Sequence, residues 1–199
     1  MTIMKSLRPA IFIDKDGTLL DDLPWNVDPR RMRLAPGTFD ALRVFAWLGV
    51  PLFVISNQSG VALGKFTREA LDPVEARLRA LVKEAGAELA GVYWCPHHPQ
   101  GIVPAYTRRC ECRKPAPGML LRAAREHGID LARSWFIGDM LDDVEAGHRA
   151  GCRSVLVDNG NETEWLAGAG REPDIVVKDL HEAARAIVEA PARITEHPA

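Results

Sequence analysis

The chain has 199 residues, 47% of them hydrophobic, enough to bury a full core as one domain over 1–199 with its core at about 10–180. A formal net charge of −2 with both signs interspersed argues against a nucleic-acid surface or a polybasic membrane patch. No apolar run approaches the roughly 18 residues of a membrane-spanning helix, and residues 1–9 are too short and polar for a secretory signal, so a cytoplasmic protein is expected. A monomer is expected as well.

Residues 10–13, Ala-Ile-Phe-Ile, read as a buried strand. Asp14-Lys15-Asp16-Gly17-Thr18 follows directly, which puts two carboxylates where α/β sheets bind ligands, at a strand's carboxyl end. Such a pair can hold Mg²⁺, supply a carboxylate nucleophile or supply a proton, although the same residues also suit a surface turn. A helix follows Pro36-Gly37-Thr38, with Phe39, Leu42, Phe45 and Ala46 on one side. The next strand, 51–56, runs into Ser56-Asn57-Gln58-Ser59-Gly60. A hydroxyl and an amide there could donate to phosphate oxygens, or simply form a turn. A helix over about 67–85 carries Leu71, Val74, Leu78, Leu81 and Val82 at helical spacing, and a strand is expected at 91–95.

Residues 96–115 break this rhythm. A structureless stretch of that length inside a compact domain is as a rule functional or held by something. Cys95-Pro96-His97 and Cys110-Glu111-Cys112 supply three thiolates and one imidazole, which match a closed tetrahedral Zn²⁺ site. Four protein ligands leave no position for water, so the zinc is expected to be structural. His98 is an alternative ligand or a neighbour of the site, and Cys152 reads as a small buried hydrophobe.

Arg113-Lys114-Pro115 follows the last of these cysteines at once. Lys114 can neutralise a transferring phosphoryl group and Arg113 can bind a phosphate through two hydrogen bonds; alternatively both are a solvated basic pair. A helix then runs from Pro117-Gly118 to about His127. After a strand at 134–138, Gly138-Asp139-Met140-Leu141-Asp142-Asp143 again places acid at a carboxyl end. Asp139 is suited to complete a Mg²⁺ site with the first loop, whereas Asp142 and Asp143 support the site, bind metal or cap the helix over about 141–150. Further strands are expected at 154–158 and 174–177, and residues 191–199 read as a frayed tail. The strands are rich in Val, Ile and Phe without strict alternation, so a mostly parallel sheet covered by helices on both faces is expected.

Together Asp14-x-Asp16-Gly17-Thr18, Ser56, Lys114 and Gly138-Asp139-x-x-x-Asp143 resemble, in order, the motifs of the haloacid dehalogenase superfamily of phosphotransferases. The cysteine loop is similar to the branch that holds heptose bisphosphate and histidinol-phosphate phosphatases. Ser56 to Gly60, Gly64-Lys65-Phe66-Thr67, Cys95 to Gly101 and Cys110-x-Cys112-Arg113-Lys114-Pro115 look like the heptose side of it. Histidinol-phosphate enzymes more often carry Asp where this chain has Ser59.

The resemblance implies an α/β, Rossmann-like three-layer sandwich with a minimal cap and a zinc-stabilised loop. It implies a Mg²⁺-dependent phosphatase that takes the C7 phosphate from D-glycero-D-manno-heptose 1,7-bisphosphate; the alternative is histidinol phosphate or another small phosphomonoester. Asp14 would be the nucleophile and Asp16 the acid, then base. Mg²⁺ would sit on Asp14, the Asp16 carbonyl and Asp139. Ser56 and Lys114 would stabilise the phosphoryl oxygens, with Asn57, Gln58 and Arg113 at the substrate and Asp22 reaching a sugar hydroxyl. Two departures stand out: Met140 occupies a position that is often Lys, and Asp21 to Asn26 differ from the usual small-residue-plus-Tyr loop, with Trp25 available to pack on substrate.

Overall fold

A computed structural model describes residues 7–191; the tail expected beyond Pro191 and the first six residues of the segment weighed as a signal lie outside the described residues. Six strands form one sheet: β1 (Ile11–Ile13), β2 (Leu52–Asn57), β3 (Leu89–Cys95), β4 (Trp135–Gly138), β5 (Arg153–Val157) and β6 (Ile175–Val177). Their spatial order is β3-β2-β1-β4-β5-β6, and every pairing is parallel. Five helices intervene: α1 (Thr38–Leu48), α2 (Leu71–Glu84), α3 (Gly118–His127), α4 (Leu141–Ala150) and α5 (Leu180–Glu189).

The missing alternation in the strands is explained by burial on both faces. Ile11, Ile13, Leu52, Val54, Trp135 and Ile137 pack on one side against α1, α2 and α5. Phe12, Phe53, Ile55 and Phe136 pack on the other, against Met119, Leu120 and Ala123 of α3 and Ala146 and Ala150 of α4. Phe12 and Phe53 stack with ring centroids 5.2 Å apart. Cys152 is buried in this second core.

Two elements differ from expectation. The segment expected as one helix from about 67 opens as a 3₁₀ turn, Arg68–Ala70, before α2 begins at Leu71. Nothing in the sequence reading marked α5, yet Leu180, Ala183, Ala184 and Ile187 form its buried stripe, and Asp179 caps it by accepting from the Glu182 backbone N–H. No helix among the described residues is long and apolar enough to cross a membrane.

The topology fixes where chemistry can occur. The chain builds outward from β1 to β3, then returns to lay β4 on the other side of β1. Loops from β1 and β4 therefore diverge to opposite faces and leave a crevice above their carboxyl ends. Asp14 and Asp139 are the first residues beyond those two strands.

Candidate active site

A cavity of about 390 Å³ opens at this crevice, and Asp14, Asp16, Ser56, Arg113, Lys114 and Asp139 all face it. Lys114 comes from the 96–117 loop rather than from a strand end. Its Nζ donates to Asp14 Oδ1 at 2.5 Å, contacts Asp143 and lies 3.4 Å from the Ile55 carbonyl. Asn57 fixes this lysine by a reciprocal pair: its Nδ2 donates to the Lys114 carbonyl at 3.2 Å, and the Lys114 N–H donates to its Oδ1 at 3.1 Å.

Gln58 plays the same part for the acid across the cleft. Its Nε2 donates to Asp16 Oδ2 and to Ser56 Oγ, both at 3.0 Å. Lys15 Nζ holds the other Asp16 oxygen at 2.5 Å. Asn57 and Gln58, expected at the substrate, thus have their side chains engaged in holding Lys114, Asp16 and Ser56. Arg113 Nη1 is buried without a hydrogen-bond partner among the described residues, which leaves a guanidinium edge at the cavity for an anion. Asp22 stands at the mouth; burial, then the nearby Asp16 charge, raises its pKa above the usual carboxylate value. Trp25, half-exposed at φ 58°, belongs to an adjoining cavity of about 290 Å³ that shares Asp16, Asp22 and Asn57 with the first.

The centre carries an excess of buried negative charge. Carboxylate oxygens of Asp14, Asp139 and Asp143 lie within 4.8 Å of one another, with Lys114 as the ammonium between two of them. Burial, then Asp143 and Asp16, push Asp14 up to about 7 against the pull of Lys114. Burial likewise pushes Asp139 and Asp143 up to about 6. Burial alone would depress Lys114, but Asp14 and Asp143 outweigh it and hold the ammonium above its ordinary value. Three clustered carboxylates that resist ionising together need a cation, and hard oxygen donors suit Mg²⁺.

Gly17 lets these acids converge: its φ is 77°, and a Cβ there would run into Asp139 Oδ2 and the Asn161 amide. Asn161 is a site residue absent from the sequence reading, and Thr18 is one that the first motif contains without a role. Thr18 Oγ1 donates to Asp139 Oδ1 at 3.0 Å, and Asn161 Nδ2 donates to Oδ2 at 2.7 Å. The available signal was Asn159-Gly160-Asn161 directly after the fifth apolar strand, one more polar turn at a carboxyl end. Asp143 resolves into a buried partner of Lys114 whose Oδ2 also accepts from the Met140 N–H at the start of α4.

The raised acids make a stability prediction. A carboxyl whose folded pKa lies above its unfolded value costs stability when ionised, and that cost fades as pH falls through the folded value toward the unfolded one. For Asp139 the window runs from about 6 down to 3.8. In Mg²⁺-free buffer, Asp139→Asn is therefore expected to be more stable than the parent at pH 8, by up to about 3 kcal/mol, with the gap closing near pH 4. Urea unfolding at the two pH values checks this.

On the far side of Lys114, Cys95, His97, Cys110 and Cys112 gather their ligand atoms within 4.8 Å of one another. Sulfur separations are 3.6 Å for Cys95–Cys110, 2.9 Å for Cys95–Cys112 and 3.3 Å for Cys110–Cys112, with His97 Nδ1 3.2 Å from Cys112 Sγ. These approach the ~3.8 Å edge of a tetrahedron with zinc–sulfur bonds of about 2.3 Å. Hydrogen bonding with Cys95 first, and with Cys110 and His97, lowers the Cys112 thiol below its ordinary pKa. His98 stays outside the cluster, accepting from the Gln100 N–H at 3.2 Å.

Comparison with known proteins agrees with this geometry. The HAD-hydrolase-like family model matches residues 111–183. The D-glycero-beta-D-manno-heptose-1,7-bisphosphate 7-phosphatase of Escherichia coli K12 is 40% identical over 167 residues, which are 79% of this chain and 87% of that protein. The enzyme of the same name from Pseudomonas aeruginosa is 33% identical over 183 residues, 92% of this chain and 99% of that one. The crystal structure of the D,D-heptose 1,7-bisphosphate phosphatase of B. bronchiseptica, complexed with magnesium and phosphate, superposes with a TM-score of 0.79 at 31% identity, covering 91% of this chain and 98% of that chain. The chain belongs to the haloacid dehalogenase-like hydrolases, among the D-glycero-beta-D-manno-heptose-1,7-bisphosphate 7-phosphatases.

Proposed function

We propose that this protein is a Mg²⁺-dependent phosphatase that removes the C7 phosphate of D-glycero-D-manno-heptose 1,7-bisphosphate through an aspartyl-phosphate on Asp14. The observation that carries the reading is the buried Asp14, 2.5 Å from Lys114 Nζ, facing one cavity with Asp16, Ser56 and Asp139. Its relatives' names and the magnesium and phosphate of the B. bronchiseptica structure support the substrate and the metal.

In the first step an Asp14 carboxylate oxygen bonds to phosphorus as the bond from phosphorus to the C7 oxygen breaks. The leaving alkoxide takes its proton from Asp16, which Lys15 and Gln58 hold toward the cleft. In the second step Asp16 removes a proton from water as that water attacks phosphorus, which releases inorganic phosphate and restores Asp14. Lys114 and Ser56 hydrogen-bond the phosphoryl oxygens, and the free edge of Arg113 is available for a substrate oxygen. Asp14, Asp139 and the main-chain carbonyl of Asp16 would hold Mg²⁺, which supplies charge neutralisation for the carboxylates and the phosphoryl group. Cys95, His97, Cys110 and Cys112 would hold a structural Zn²⁺ that fixes the loop delivering Arg113 and Lys114.

Phosphate release across both anomers of heptose 1,7-bisphosphate, histidinol phosphate and common sugar phosphates tests the substrate. A heptose bisphosphate is expected to give the highest kcat/KM by at least about 10-fold, equivalent to about 1.4 kcal/mol in transition-state binding. Preference for histidinol phosphate would move the protein to other chemistry on the same machinery.

A further inference from the structure

We infer that Asn161, backed by Asn159, is a positioning residue that sets Asp139 for the metal, an inference that rests on the Mg²⁺ reading above. A carboxylate offers two lone pairs on each oxygen. Thr18 Oγ1 takes one on Oδ1 at 3.0 Å and Asn161 Nδ2 takes one on Oδ2 at 2.7 Å. Asp139 is thereby fixed in rotation while a lone pair on each oxygen stays open. The donor is also neutral, so it orients the acid without adding a charge to the three carboxylates already clustered there.

The same turn grips the opposite loop. Asn159 Nδ2 donates to the Gly17 carbonyl at 2.6 Å, and the Asn161 N–H donates back to Asn159 Oδ1 at 3.1 Å. One three-residue turn after β5 thus ties the loop of Asp14 and Asp16 to Asp139. Gly17 is bare where the three meet, since a Cβ there would displace both the Asp139 carboxylate and the Asn161 amide.

The turn is itself anchored on α4. Glu162, the residue after Asn161, accepts from the Leu141 N–H at 2.8 Å through Oε2. The helix that follows Asp139 therefore also carries the support for its orienting amide. Outer hydrogen-bond partners of this kind typically change metal affinity 10- to 100-fold when removed.

The test is calorimetric Mg²⁺ titration of the substrate-free protein, with kcat measured at saturating Mg²⁺, for the parent, Asp139→Asn, Asn161→Ala and Asn161→Leu. The leucine keeps the branched heavy-atom shape of the amide without its donor, should alanine loosen the turn. The expected result is Mg²⁺ binding by the parent, its loss in Asp139→Asn, and a dissociation constant raised about 10- to 100-fold in either Asn161 variant. With saturating Mg²⁺, kcat should return to within a few-fold of the parent, because Asn161 acts through Asp139 and not on substrate. Parent-like Mg²⁺ affinity in both Asn161 variants overturns the inference, as does a kcat that saturating Mg²⁺ cannot restore. A parent that binds no Mg²⁺ defeats the metal reading itself and is told apart by that control.

Discussion

Asp14→Asn is expected to lower phosphate release by on the order of 10⁴- to 10⁶-fold, the scale seen when a covalent nucleophile is removed. The amide matches the carboxylate in shape, so the chain should fold and Lys114 should keep Asp143 as a partner. What disappears is the attacking electron pair and with it the two-step route, which leaves only positioning by Lys114, Ser56 and Arg113. Single-turnover assays with acid quench should find a phosphorylated protein in the parent and none in the variant. Residual turnover near the parent rate would rule out the covalent mechanism, and near-UV circular dichroism would exclude misfolding as the source of a loss.

Zinc removal is expected to have the second-largest effect, and on stability as well as activity. The 96–117 loop has little core of its own: Ile102 is 76% exposed, and the loop's regular structure is one 3₁₀ turn, Pro104–Tyr106. Structural zinc contributes roughly 10 kcal/mol or more in small peptides, whereas the thiols alone can offer only weak hydrogen bonds. Cys112→Ser should therefore cost several kcal/mol. It should also cut kcat/KM sharply, because Lys114 is two residues away and depends on that loop to reach Asp14. Excess Mg²⁺ should not restore the activity. Elemental analysis should find about one zinc per parent chain and markedly less in the variant. A parent free of zinc, yet stable and active, would refute this account of the loop.

These effects locate what could be read from residues alone. All six strands were legible as short apolar runs, although only the inner ones are buried on both sides; Val176 of β6 is exposed and β3 alternates. Four helices were legible, two from their apolar spacing, a third from the Pro117-Gly118 that opens it and a fourth at about 141–150. α5 was missed: its stripe is partly alanine, with Ala183 and Ala184 at the contact, so it gains its core partners only once α1 lies beside it. At the cleft, local motifs nominated Asp14, Asp16, Ser56, Lys114 and Asp139, and the structure gathers them at one cavity. Asp-x-Asp-Gly after a strand and Cys-x-Cys before Arg-Lys carry their chemistry in short spacing, which a sequence displays directly.

The division of tasks within the site was decided by the fold. The family resemblance implies Asn57 and Gln58 as substrate contacts; parallel pairing of β1 with β2 and the return of the cysteine loop also engage their amides with Lys114, Asp16 and Ser56. Asn161 lies 22 residues from Asp139 and meets it because β4 and β5 are neighbours in the sheet. Thus the sequence by itself determined most of the strand-and-helix alternation, the acid pair, the basic pair and the Cys-x-His and Cys-x-Cys pairs, since these depend on neighbours within a few residues. Tertiary structure alone decided which polar group holds which, because a hydrogen bond between distant residues depends on sheet order and loop path, and neither is encoded in any one segment.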